Sequence, residues 1–255
     1  MHLNTKWLLV LMLVTFLTAC GVLGQQSGSK TNASLHQLDS ARAHTNLGAA
    51  YLQQNKLEIA LNEFSKAIEV MPSYAAAYNG IAMVRSALQQ DELAEFNFKK
   101  AIQIDPLASE AYNNYGTFLC SRGRYSESVP LFLEAVKNPL YGTPNLAYAN
   151  AGICAKRDND IDNAERYLSK ALQIQPLTHA AAYNLADIQF SRGDAPAAKR
   201  TLQNAILVAP SAEMLWLGIR IARKLGDKNS EASYSLELRR KFPDSNETKL
   251  LLREQ

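Results

Sequence analysis

This chain lacks the marks of an enzyme. It has no H-E-x-x-H, no C-x-x-C, no G-x-S-x-G and no P-loop. Those patterns place metal ligands, redox thiols, an activated serine or nucleotide phosphates. Histidine is scarce, and His2, His36, His44 and His179 are too dispersed to form a base–nucleophile or metal set. Carboxylates are scattered, as on solvated helix faces. Neither catalysis, nor a metal, nor a soluble cofactor is expected. A strong charge of one sign is missing too: formal net charge is +3 over 255 residues. Clusters such as Arg239-Arg240-Lys241, and Arg220 with Arg223 and Lys224, read as solvated helix faces. Without a basic face, nucleic acid is not an expected partner. The apolar run at residues 7–17 is too short to span a bilayer as a helix. Disorder is excluded as well, since 47% of residues are hydrophobic and 20% charged.

What the chain has instead is a beat. Pro72 and Pro106 lie 34 residues apart, as do Pro176 and Pro210, and the gap between the pairs is two periods plus two residues. Alanines keep the same time: Ala60, Ala94, Ala164 and Ala198, then Ala67, Ala101, Ala171 and Ala205. A period of 34 is the signature of a helical-hairpin solenoid, which builds a long binding surface rather than a catalytic pocket. In residues 41–74, Leu47, Gly48 and Tyr51 share one face of a first helix, and Ala60, Phe64 and Ala67 share one face of a second. Pro72 closes the unit, because proline cannot continue a helix.

This pattern resembles the tetratricopeptide repeat (TPR). The resemblance implies an all-α, right-handed superhelical solenoid of about six hairpins. The repeats are 41–74, 75–108, 109–142, 145–178, 179–212 and 213–246, with a C-terminal cap at 247–255. Thr143 and Pro144 are the two extra residues. Ser128 stands where repeat 3 should carry alanine. Pro130 falls inside a second helix and should remove one backbone hydrogen bond and bend it, whereas Pro196 sits in a first turn, where proline is tolerated. Repeat 6 is looser: beside Trp216, Ile219, Ala232 and Leu236, it places Arg220 and Arg239 where small residues are usual.

The first residues are an address. Lys6, the apolar run and Thr18-Ala19-Cys20 read as a secretory signal peptide, 1–19, that is removed. Leu17-Thr18-Ala19-Cys20 resembles a bacterial lipobox, which implies cleavage before Cys20 and covalent lipid on it. Gly21 follows, with no aspartate at the inner-membrane retention position. By analogy with enteric lipoproteins, the expected location is the periplasmic face of the outer membrane. Lipid contributes about 0.8 kcal/mol per buried methylene. Residues 20–36 read as a flexible tether reaching about 22 Å.

With Cys20 acylated, Cys120 and Cys154 remain. They fall on first helices of adjacent hairpins. A disulfide across the junction of repeats 3 and 4, or two buried thiols acting as apolar fillers, both fit. Closing a loop of about 35 residues would contribute roughly 3–4 kcal/mol.

Positions 2, 5, 9, 12 and 13 of each first helix tend to line the groove of a TPR array. Here they include Thr45, Ala49, Leu52, Asn79, Met83, Asn113, Thr117 and Ile153, together with Arg42, Leu146, Ala149, Tyr183, Asp187 and Phe190. Small apolar and amide side chains with few charges suit an extended or helical peptide.

The centre of the chain carries more than the generic repeat. Residues 113–120 read Asn-Asn-Tyr-Gly-Thr-Phe-Leu-Cys, followed by Gly123-Arg124-Tyr125, then Asn138-Pro139-Leu140-Tyr141, Pro144 and 150–155, Asn-Ala-Gly-Ile-Cys-Ala. With the lipobox and six repeats, this resembles the type IV pilus biogenesis lipoproteins of the PilF/PilW kind. The resemblance implies a pilotin: a monomeric, non-enzymatic lipoprotein that binds the pilus secretin, promotes its localisation and multimer assembly in the outer membrane, and is needed for pili and twitching motility. It also implies a bond between Cys120 and Cys154. The alternative is another TPR lipoprotein, scaffolding peptidoglycan hydrolases or an envelope-assembly machine.

Overall fold

The computed structural model describes residues 34–254. The expected signal 1–19, the expected lipid-attachment residue Cys20 and most of the expected tether lie outside the described residues. Thirteen helices and no strands are present among the described residues. They form successive hairpins within two compact units, which divide the described residues after Pro106.

In the first unit, α1 (34–53) pairs with α2 (Leu57–Val70), and α3 (Ala75–Ala87) with α4 (Asp91–Ile104). Alanine sets the spacing: Ala60, Ala67, Ala94 and Ala101 are fully buried where helices touch. Phe64 is the large side chain of this core. A Cβ added at Gly80 would sit 2.3 Å from its ring, and one at Gly48 would sit 2.9 Å away. Two glycines, on α1 and α3, thus make the slot that the ring fills. One expectation is corrected here: 34–36 is helical rather than tether. The first turns of α1 are mostly exposed, so no apolar stripe announces them.

The second unit holds four hairpins and a final helix. They are α5 (Ser109–Ser121) with α6 (Tyr125–Ala135), α7 (Pro144–Arg157) with α8 (Ile161–Ile174), α9 (His179–Ser191) with α10 (Ala195–Val208), α11 (Ala212–Leu225) with α12 (Lys228–Lys241), and α13 (Asn246–Arg253). Pro144 and Pro196 begin helices, where the missing N–H costs nothing. Asp160, Asp194 and Asp227 each cap a second helix by accepting a backbone N–H three residues on. Pro130 lies inside α6, which has 11 residues against 14 in α8.

Each turn from first to second helix contains one residue in the left-handed region: Asn55, Gln89, Gly123, Asn159, Gly193 or Gly226. Gly226 arrives one residue early relative to the others. So does everything around it. Ser211 caps α11, which starts at 212 rather than 213, and α12 starts at 228. Repeat 6 therefore runs one residue ahead of the 34-residue register. This corrects the reading of its odd arginines. Ile219 and Leu238 are fully buried, while Arg220 and Arg239 face solvent. Ala232 and Leu236, expected to pack, are exposed, with Leu236 at 63%. Leu251 of α13 packs into the core that contains Ile219 and Leu238, closing the end of the array.

Candidate functional site

The first helices carry the expected binding face, and each unit presents its own version of it. In the first unit, Thr45 and Leu52 are half-buried on α1 and Ala49 is exposed; Asn79 is half-buried on α3 and Met83 is 37% exposed. Leu47, assigned to the packing side, is exposed as well. The Thr45 hydroxyl is buried without a hydrogen-bond partner among the described residues, an arrangement that costs free energy unless something completes it. Beside this face, Glu63 accepts from Lys66 and pairs with His44, each at 2.7 Å. Those contacts, Lys66 first, hold the Glu63 carboxyl below the usual carboxylate range.

In the second unit, polar links join successive first helices. Asn150 Nδ2 donates to Asn113 Oδ1 at 3.0 Å, from α7 to α5. Lys156 Nζ donates to Asn184 at 3.2 Å and to Asp187 at 2.7 Å, from α7 to α9. The Arg220 guanidinium sits 4.9 Å from the centre of the Phe190 ring, from α11 to α9, a cation–π contact. Burial pushes the nearby Tyr183 hydroxyl up, with Asp187 adding to the effect. Thr117 is exposed and donates to the Asn113 carbonyl of its own helix at 2.9 Å. Ile153 is half-buried and packs with the core beneath.

Ala149 is a correction: it is buried at 2% and packs inside, while Leu146, 47% exposed, faces out. Cys120 and Cys154 are joined in a disulfide with Cα atoms 5.9 Å apart, pinning α5 to α7. Ser128, fully buried, donates to the Tyr125 carbonyl at 2.8 Å and touches Cys154 Sγ at 2.7 Å. A hydroxyl is accommodated at this alanine position because the Tyr125 carbonyl takes its one hydrogen.

Tetratricopeptide repeat models match residues 41–74, 75–106, 97–129 and 155–217. The type IV pilus assembly protein PilF of Pseudomonas aeruginosa is 32% identical over 239 residues, covering 93% of this chain and 94% of PilF. The chain belongs to the PilF family of tetratricopeptide proteins. A solved structure of P. aeruginosa PilF superposes with a TM-score of 0.76 at 29% identity, over 86% of this chain and 99% of that one. The crystal structure of PilW, described as a widely conserved type IV pilus biogenesis factor, superposes at 0.71 and 30% identity, over 83% and 98%.

As a PilF-family protein, the chain is a type IV pilus biogenesis factor that works through protein–protein contact. Among the described residues no group of three or more His, Cys, Asp and Glu could hold a metal ion, and no helix is long and apolar enough to cross a membrane. Sequence reasoning missed Asn150, Lys156, Asn184 and Arg220 on the second unit's face. A signal existed for two of them, because Asn46, Asn114, Asn150 and Asn184 all occupy the sixth position of their repeats.

Proposed function

We propose that this protein is a pilotin: a monomeric, non-catalytic lipoprotein, anchored through lipid on Cys20 to the periplasmic face of the outer membrane, that binds the type IV pilus secretin and promotes its assembly. The observation that carries this reading is the match along nearly the whole of PilF, joined to the lipobox at 17–20. The mechanism is non-covalent. The acyl chains supply membrane affinity, and the first-helix face holds a secretin segment. Coupling the two raises the local concentration of secretin at the membrane where its ring must form. The first unit's face is the assigned contact. It lies nearest the anchor in sequence, and it combines exposed apolar side chains (Leu47, Met83) with an amide (Asn79) and a buried, unanswered hydroxyl (Thr45).

Two measurements test this. Secretin multimers in outer membranes, seen on unboiled gels by immunoblot, should vanish when the gene is deleted and return when it is restored. Unchanged multimers would remove the pilotin reading. Asn79→Glu and Met83→Glu should each lower multimer abundance while the helical circular dichroism stays intact. Normal multimers in both variants would move the contact off this face.

A further inference from the structure

On the opposite side of the second unit, between the second helices of its first two hairpins, lies an open cleft of about 540 Å³. That is within the size range of ligand pockets. One wall is a helical stripe of α6: Ser126, Val129, Pro130 and Leu133. The other is Ala155 of α7 and Tyr167 of α8. The sequence explains why a cleft exists here. Pro130 shortens α6, and Thr143-Pro144 add two residues to the connection that follows. Behind it, the disulfide ties α5 to α7 and Ser128 touches Cys154, so the far wall is preorganised.

Two features say what would fill it. Pro130 has no N–H to return to the Ser126 carbonyl, so that helical hydrogen bond is missing, and both residues line the cleft. The rim carries Glu134, Lys137, Asp158 and Asp160. Glu134 and Lys137 pair with each other at 2.5 Å. Asp160 is engaged with Asn163 as the cap of α8. Arg166 is occupied by the Tyr167 ring and hydroxyl and by Asn163. Asp158 is exposed, makes no ion pair among the described residues, and caps the C-terminal end of α7. A helix C-terminus favours cations and disfavours carboxylates. An exposed carboxylate at the rim offers a partner to an incoming cation.

We propose that this cleft is a second protein-docking site, taking a segment that presents a bulky apolar side chain beside a lysine or arginine. The apolar group enters between Val129, Leu133 and Tyr167, an N–H of the segment donates to the Ser126 carbonyl, and the basic group meets Asp158. The site is independent of the first-helix face, so one protein could hold two partners at once.

The test uses two capped dipeptide probes, acetyl-Trp-Lys-amide and acetyl-Trp-Glu-amide, titrated into the full chain in detergent micelles. The readout is the methyl NMR signals of Val129, Leu133 and Ala155. Saturable shifts at these methyls are expected, with the lysine probe at least about threefold tighter than the glutamate probe. Asp158→Asn should remove that preference without disturbing the fold, since its side chain is exposed. Pro130→Ala should restore the helical hydrogen bond and weaken both probes. No saturable shift at the three methyls, equal affinity for both probes, or shifts confined to first-helix methyls would each overturn the proposal.

Discussion

The two units are built from the same repeat but spend their first helices differently. In the first unit, the face made by α1 and α3 shows Leu47, Ala49 and Met83 to solvent and buries a hydroxyl that has no partner among the described residues. In the second, the equivalent face is bridged by Asn113–Asn150, by Lys156 with Asn184 and Asp187, and by Arg220 on Phe190, with a disulfide underneath. Polar groups that answer one another have less left to offer a partner. On the proposed reading, the repeats that bind are those whose first helices show apolar side chains and an unanswered hydroxyl, as α1 and α3 do.

The strongest way to break the comparison is at Phe64. Its ring fills a slot between Gly48 and Gly80, and alanine there leaves a cavity flanked by two glycines with no side chain to fill it. Phe64→Ala should cost about 3–5 kcal/mol, with the largest loss of hydrogen-exchange protection among α1, α2 and α3. Uniform loss along the chain would erase the distinction between the units. Next in size is the disulfide. Cys120→Ala with Cys154→Ala should lower stability by about 3 kcal/mol in the loop-entropy model, measured by urea denaturation. Protection should fall first in α5 to α8. A double variant as stable as the parent would mean that packing alone holds the α5–α7 junction.

Acid provides a gentler probe of the second unit. Asp227 accepts from Lys199 at 2.7 Å and from the Ser230 hydroxyl and amide. Those contacts, Lys199 first, hold its carboxyl well below the usual carboxylate range. Its folded value is lower than its unfolded one. The stability it contributes is therefore present above the ordinary aspartate value near about pH 4, and is lost as pH falls through the folded value. Asp227→Asn should flatten the acid limb of a plot of urea midpoint against pH. A limb unchanged in that variant would assign the acid sensitivity elsewhere, with Glu63 of the first unit as the next group to replace.

Most of the fold was legible because a TPR writes its packing into short-range pattern. The 34-residue beat of proline and alanine fixed where helices pair, and α3, α5 and α9 start at the first residue of their repeats. What was not legible has physical reasons. The helical turns at 34–40 were not legible because they are mostly exposed, and a helix without an apolar stripe leaves no periodicity. Repeat 6 slips by one residue because Ser211 offers a side-chain cap one position early, and a period fitted to five other repeats cannot see that. Ala149 turned inward because positional rules assume an average first helix, whereas α7 starts at a proline after a two-residue insertion. The links from Lys156 to Asn184 and Asp187 span 28 and 31 residues, and a single sequence does not pair residues at that distance. The structure places the expected binding-face residues on first helices, where Asn113, Thr117, Asp187 and Phe190 are already engaged with neighbours.

The smallest effect is the one that most sharpens the view of the first unit. All six first-helix turns place one residue in the left-handed region, and five of them use glycine or asparagine there. Gln89 is the exception, at φ 59°. A long side chain with a Cβ is strained in that conformation by about 1 kcal/mol, and glycine is not. Gln89→Gly should therefore raise stability, by at most about 1 kcal/mol after the extra entropy of the unfolded glycine is set against the relieved strain. Gly123→Gln, the reverse change in the second unit, should lower it by a similar amount. If Gln89→Gly destabilises instead, the Gln89 side chain earns its place through a contact, and the turn between α3 and α4 would join the first unit's binding face as a candidate.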